Sequence, residues 1–214
     1  MDAATLQQKI YGGYGKAALR IGPVYNLYHP TSAANPISPA TWLGTLNASF
    51  NAQDMTYSKP NLYGKPLWYA LLDGTQTQVG DYLVNDDKTF FIAAQQDTLP
   101  ILAVECNRTL NIFRPQQQVD AGVNPYGGTI DANQTELMTA WPASVLQGTK
   151  GEKGDAPLPG DVRLPWWAIL LPAYPGVNLL TADIITDDIN RRYIVSSAEL
   201  SDLGWRLTCM QAQT

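Results

Sequence analysis

Short apolar runs, some continuous and some alternating with polar residues, recur along most of the chain in the pattern of β-strands. Short apolar stretches at residues 24–28, 67–72 and 101–106 are bounded by proline, glycine or aspartate, which favour turns. In the second half, the same pattern predicts strands at residues 166–171 and 205–209. The pattern therefore predicts a mainly β fold built from short strands.

A helical pattern is convincing only near the start of the chain. Leu6, Ile10 and Tyr14 recur at a spacing of four residues, which places them on one face of a helix. Glycines at positions 12, 13 and 15 interrupt this face, and each destabilises a helix by about 1 kcal/mol relative to alanine. We expect residues 1–20 to form a short helical arm with a break near these glycines.

Three strand signatures recur in the same order in the two halves of the chain. Residues 81–92 align without a gap with residues 183–194, so that Phe91 corresponds to Tyr193. The other two matches pair residues 66–72 with 165–171 and residues 25–30 with 110–115. Such a collinear repeat indicates the duplication of one module of about 100 residues.

The repeat predicts a mainly β protein with two tandem small β-barrel or sandwich modules behind the helical arm. The first module spans residues 21–106 and the second spans residues 107–214. Residues 116–160 are rich in glycine and proline, and they predict a long loop insertion in the second module.

Composition narrows the function classes. Charged residues make up 15% of the chain, against about 25% in ordinary soluble domains. Surfaces that are polar but uncharged suit a protein covered by neighbours. The net charge of −5 does not favour binding to nucleic acid, so at most passive passage of DNA is expected. No apolar stretch is long enough to predict a membrane span, and the N-terminus lacks the pattern of a secretory signal.

Residues suited to catalysis or metal binding are few. His29 is the only histidine, and Cys106 and Cys209 are too few for a disulfide framework or a zinc site. The aspartate pairs at 86–87 and 187–188 lie at predicted hairpin tips, where turn geometry favours aspartate, with calcium binding as the alternative. The sequence predicts no enzyme, no cofactor and no metal site.

Aromatic and arginine residues concentrate at protein interfaces. Trp166 and Trp167 are adjacent, so on a strand they point to opposite faces and one of them faces outward. The predicted interface residues are Tyr11, Tyr14, Lys16, Arg20, Trp166, Arg191 and Arg192.

Several segments resemble virion proteins of tailed bacteriophages. They lie at residues 80–84, 90–96, 99–109, 183–188, 191–197 and 203–208. The two hairpins, which begin at an aspartate and in the second half continue into Arg-Tyr-Ile-Val, are similar to those of the small β-barrel stopper proteins of the phage neck. Stopper proteins usually have one module, whereas this chain has two. The resemblance implies no catalytic residues.

This resemblance implies a structural protein of the virion, assembled in the cytoplasm of the bacterial host. We expect a head–tail connector ring that links the portal–adaptor complex to the tail. The partners would be the portal, adaptor and tail proteins and further copies of the chain, in a ring of six with three as the alternative. A tail-tube, tail-hub or baseplate protein is the alternative function, and a carbohydrate-binding module is a more distant one.

Overall fold

The structure is a computed structural model, and it describes residues 2–51, 64–115, 134–148 and 166–212. These residues form one α-helix, α1 (Ala3–Ile21), a 3₁₀ turn at Gly74–Gln76, and a series of antiparallel strands. The strands are β1 (Val24–Tyr28), β2 (Trp42–Asn47), β3 (Ser49–Asn51), β4 (Leu67–Leu71), β5 (Tyr82–Val84), β6 (Thr89–Ala94), β7 (Ile101–Cys106), β8 (Arg108–Arg114), β9 (Thr135–Gln147), β10 (Trp166–Leu171), β11 (Ile184–Asp187), β12 (Arg192–Ser201) and β13 (Gly204–Gln211). The predicted mainly β fold with an N-terminal helix is confirmed.

The two halves of the chain build sheets with the same strand order. The first sheet has the order β2-β1-β5-β6-β7-β4-β3, and the second is a closed barrel with the order β10-β13-β12-β11-β8-β9. Read in reverse, the second order matches the first when β9 takes the place of both β2 and β3. Strand β9 can do so because it pairs with β8 through one part and with β10 through another. The first sheet is not closed by hydrogen bonds, but Ala48 alone separates its edge strands β2 and β3, so the sheet curls around its own core and is named the first barrel. Both modules therefore curl around a core.

Local irregularities are repeated as well. The sheet register shifts between Ile92 and Ala94 in β6 and between Val195 and Ser197 in β12, which are equivalent places in the two modules. A bulge at the same place in both sheets is a specific feature of a strand pair. The shared bulge and strand order support the predicted duplication.

The gap-free alignment of the hairpins is wrong by one residue. In the first module the backbone N–H of Asn85 donates to the carbonyl of Lys88, whereas in the second Asp187 donates to Arg191. The second turn is therefore one residue longer, and the strands that follow are offset by one further position.

A cation–aromatic cluster confirms this corrected register. Lys88 Nζ lies 5.3 Å from the centroid of the Trp68 ring, which meets the ring of Phe90 edge to face. The second module repeats the cluster with Arg191, Trp167 and Tyr193. Phe90, rather than Phe91, is the counterpart of Tyr193.

Helix α1 runs without the break predicted near its glycines. The Asp2 side chain caps its first turn, and Tyr11 packs on the first barrel. A Cβ at Gly15 would lie 3.0 Å from the Asp73 side chain, and one at Gly74 would lie 2.7 Å from the Tyr11 ring. Gly15 in the helix and Gly74 in the 3₁₀ turn thus let the two elements approach closely, and this packing offsets the low helix propensity of Gly15.

The predicted loop insertion at residues 116–160 is wrong in part, because strand β9 lies inside it. Two register shifts against β8, Pro142 and a positive φ of 54° at Ala140 disturb the alternation that marks a strand. Residues 116–133 and 149–165, where the remainder of the prediction falls, lie outside the described residues.

Strands β5 to β7 are buried on both faces. Leu83 and Ile92 fill the first barrel, whereas Tyr82 and Phe91 point away from it and join a core shared with the second module. The hydroxyl of Tyr82 donates to the carbonyl of Pro142 over 2.8 Å. The modules are therefore packed against each other through apolar residues.

One residue, Asn107, joins the last strand of the first module to the first strand of the second. Its side-chain amide donates to Val145 O over 2.9 Å and accepts from Val145 N over 2.8 Å. Its backbone N–H donates to Ala143 O over 3.0 Å. The boundary predicted between residues 106 and 107 falls at this short, hydrogen-bonded connection.

Candidate interaction surface

A row of paired side chains crosses the outer face of the first sheet. In strand order β4-β7-β6-β5-β1 this first-module row consists of Leu67, Val104, Phe91, Tyr82 and Tyr28. Val104, Phe91 and Tyr82 are 2%, 1% and 0% exposed. They are buried because the second module lies on them, with the rings of Tyr82 and Trp141 6.0 Å apart.

The second module has the equivalent row, made by the same strand pairings. In strand order β10-β13-β12-β11-β8 this second-module row consists of Trp166, Met210, Ile194, Ile184 and Phe113. Met210 is 43% exposed and Ile194 is 39% exposed, although their counterparts Val104 and Phe91 are buried. The duplicated face is thus covered in the first module, whereas in the second it is open at Met210 and Ile194 but buried at Ile184, which is 2% exposed.

Covering this face would be favourable. The exposed parts of Ile194 and Met210 together contribute about 2–4 kcal/mol if they are removed from water. Adjacent apolar side chains on a sheet face are a common feature of protein interaction sites. The second-module row is therefore the candidate interaction surface.

Two of the predicted interface residues lie on this face. Trp166 is part of the row, and its indole lies over Gly148, where a Cβ would come within 2.0 Å of the ring. Arg192 lies two residues before Ile194 on β12, so both side chains point to the same face. The structure thus brings Trp166 and Arg192 to the edges of the candidate surface.

Arg191 points to the opposite face and is engaged within its own module. Its Nε donates to Asp187 Oδ2 over 2.8 Å, and its guanidinium lies 4.8 Å from the centroid of the Trp167 ring. Burial of Asp187 disfavours its charge, but hydrogen bonds from Arg191 and Tyr193 outweigh burial and lower the pKa of this carboxyl. Burial, followed by the bond to Asp187, raises the pKa of Tyr193. The role of Arg191 as an interface residue stays a prediction.

The remaining predicted interface residues lie on α1, which contacts the 3₁₀ turn, β4 and β2 of the first module. Tyr11 and Tyr14 are half-buried, whereas Lys16 and Arg20 are exposed. Met210 and Ile194 were not predicted, because only aromatic and basic side chains were considered as interface residues. The repeat itself was the signal, since it allows each exposed residue to be compared with a buried counterpart.

A cleft of about 330 Å³ opens at one end of the first barrel. Its walls include Tyr25, Phe50, Phe90, Trp68 and Lys88, and the Phe50 and Phe90 rings are stacked 3.7 Å apart. The indole N–H of Trp68 donates to a carboxylate oxygen of Glu105 over 2.9 Å. The cleft suits a small apolar or planar group, but its polar side chains bond to one another.

Groups suited to metal or thiol chemistry are not brought together. Among the residues that the structure describes, no three His, Cys, Asp or Glu side chains are grouped so as to hold a metal ion. Cys106 and Cys209 are free thiols, and burial raises the pKa of Cys106 and raises that of Cys209 to about 12. No helix within the described ranges has the length and apolar character needed to cross a membrane.

Comparisons with known proteins found no match to a family model, to a curated protein or to a solved structure.

Proposed function

We propose that the chain is a structural component of a tailed-phage particle, a ring at the head–tail junction that links the portal–adaptor complex to the tail. The observation that carries this proposal is the exposure of Met210 and Ile194 in the second-module row, whose counterparts Val104 and Phe91 are covered by the second module. An apolar face of this kind supports a protein whose work is done by contact with neighbours.

The two modules also suit a mechanical role. They share an apolar core, and Asn107 joins them through three hydrogen bonds, so the pair behaves as one stiff unit. A stiff unit with a contact patch at each end is what a closed ring requires. In this proposal the chain assembles in the host cytoplasm and acts in the virion, with DNA passing through the ring without being bound.

The number of copies separates this function from its alternative. Six chains around the tail axis would present twelve modules, which matches a twelve-fold portal in the family that the sequence resembles. Three chains would favour a tail-hub, tail-tube or baseplate protein.

The test is to locate the chain in the particles of the phage that encodes it. Immunogold labelling with an antibody against the chain should mark the neck, and a reconstruction of the particle should show six copies around the axis. Absence of the chain from purified particles would contradict the proposed function. Three copies lower in the tail would replace it by the alternative.

A further inference from the structure

We infer that the second-module row binds the first module of another copy of this chain, at the junction of α1 and β1. The partner of the second-module row is thus a second copy of the chain. That such contacts close into a ring rests on the proposed function. The occupant is inferred from the contact that the two modules already make within the chain.

Within the chain, the first-module row is covered by one side of the second barrel. Trp141 on β9 meets Tyr82 edge to face, and it meets Tyr174 edge to face with ring centroids 5.6 Å apart. The indole N–H of Trp141 donates to Ala33 O over 2.6 Å. The covering side thus consists of β9 and the segment that follows β10.

The first module has an equivalent side, made by β2 and the segment that follows β4. Because β4 corresponds to β10, the 3₁₀ turn Gly74–Gln76 corresponds to residues 173–175 around Tyr174. Helix α1 lies on this side and contacts the turn and β2. Helix α1 therefore lies on the side of the first module that is equivalent to the side through which the second module contacts the first.

The end of α1 lies beside β2, because the side-chain amide of Asn47 donates to the carbonyl of Gly22 over 2.9 Å. Leu19 is 69% exposed, Ile21 is 54% exposed and Val24, at the start of β1, is 57% exposed. These three residues, named here the first-module patch, lie within six consecutive positions. If the next copy packs on the second module in the way that the second module packs on the first, the first-module patch of that copy lies on the second-module row.

The contact is expected to be heterologous, with different patches on the two partners. The contact within the chain already has this character, since the first-module row meets β9 rather than the row of the second module. A heterologous contact leaves one free patch at each end, so copies add head to tail until the ring closes. A two-fold contact between two second-module rows would stop at a dimer.

Charge variants of the full chain distinguish these arrangements. We expect the wild-type chain to form oligomers larger than dimers in size-exclusion chromatography with light scattering. Met210→Lys and Ile21→Glu should each raise the dissociation constant of the contact at least tenfold. The double variant should regain assembly at low salt, because every heterologous contact then joins a lysine to a glutamate.

Leu200→Lys is the matched control, because Leu200 is 55% exposed on β12 but lies outside the row. It should assemble as the wild type does. Thermal unfolding of each variant verifies that the fold is intact. A wild-type chain that stays monomeric at all concentrations, or single variants that assemble normally, would overturn the inference.

Cysteine cross-linking gives a second measurement that does not depend on weakening the contact. Ile194→Cys mixed with Ile21→Cys should give mixed disulfides; both variants carry Cys106→Ala, because Cys106 is only partly buried whereas Cys209 is buried. Disulfides formed only between two Ile194→Cys chains would show a two-fold contact and overturn the inference. Absence of the chain from particles would instead reject the proposed function, because self-association is measured in solution.

Discussion

His29 Nδ1 lies 2.7 Å from Asp81 Oδ1, and the second module repeats this pair with Arg114 Nε 2.9 Å from Asp183 Oδ1. Each basic residue precedes a proline, and each aspartate is almost fully buried. In both modules the aspartate also accepts the backbone N–H of the residue three positions earlier. The duplicated pair therefore fixes the entry into the hairpin, with a titratable partner in one copy and a permanently charged partner in the other.

Removing the basic partner should cost more in the second module than in the first. Arg114→Ala leaves the carboxylate of Asp183 buried and without its two guanidinium bonds, so we expect a loss of about 2–3 kcal/mol. His29→Ala should cost about 1 kcal/mol, because it removes one hydrogen bond to Asp81 where Arg114→Ala removes two bonds to Asp183. Urea unfolding at neutral pH measures both.

The exposed Lys9→Ala serves as the control and should change stability by less than about 0.5 kcal/mol. Equal losses for Arg114→Ala and His29→Ala would contradict the difference between the two pairs.

Two buried aspartates should give opposite pH effects. Burial raises the pKa of Asp81 above its ordinary value of 3.8, despite hydrogen bonds from His29 and the Gln78 N–H. The folded state thus holds this proton more tightly than the unfolded chain does. The associated stability is fully present below pH 3.8 and is lost as the pH rises through the raised pKa. Asp81→Asn should therefore gain stability relative to the wild type as the pH rises.

Asp187→Asn should show the reverse trend, because the pKa of Asp187 is lowered. The stability contributed by the Asp187 carboxylate is present above 3.8 and is lost as the pH falls through the lowered pKa. The deficit of the variant relative to the wild type should therefore grow as the pH rises. Urea unfolding from about pH 3 to 5.5 spans the ordinary aspartate range, and parallel trends for the two variants would refute the assignment.

Asn107 should be important for the junction between the modules. Asn107→Ala removes both side-chain hydrogen bonds to Val145, and we expect a loss of about 2 kcal/mol. Asn107→Asp keeps the acceptor but places a carboxylate oxygen where the amide donated to the Val145 carbonyl, so at neutral pH its loss should be at least as large. Differential scanning calorimetry measures both variants.

Asn26→Ala is the control for Asn107, because Asn26 is exposed and its side chain makes one 3.3 Å hydrogen bond with Trp42. It should lower stability by less than about 0.5 kcal/mol. An Asn107→Ala variant as stable as this control would show that the junction does not depend on the amide.

The cations of the two aromatic clusters should differ in importance. Arg191 is paired with the fully buried carboxylate of Asp187, so Arg191→Ala should cost about 3 kcal/mol. Lys88 lies 3.4 Å from Glu105, and both side chains are partly exposed, so Lys88→Ala should cost less than about 1 kcal/mol.

Arg191→Lys tests whether charge alone suffices in the second cluster. It keeps the charge but loses the planar guanidinium that bonds Asp187 and stacks on Trp167, so an intermediate loss is expected in chemical denaturation. A loss as small as that of Lys88→Ala would mean that the buried pair is not required.

The sequence by itself determined the mainly β fold and the repeat of strand signatures in the two halves of the chain. Apolar runs bounded by turn residues are a local property of the sequence, and they were visible at β4, β7, β10 and β13. The register of the second hairpin was missed by one residue, because turn length depends on how Asp187 and Arg191 bond across the strands. The sequence predicted a break in α1, because the contacts of Gly15 with Asp73 and of Gly74 with Tyr11 join residues that are far apart in sequence.

Only the tertiary structure decided which apolar side chains are left open. Phe91 and Ile194 occupy equivalent places in equivalent strands, and the pattern of the sequence treats both as strand residues. Phe91 is buried because a second barrel lies on it, whereas Ile194 is 39% exposed. The difference comes from the tandem arrangement of the two modules. The second module covers the face of the first that carries Phe91, but no further module in the described part of the chain covers the equivalent residue Ile194.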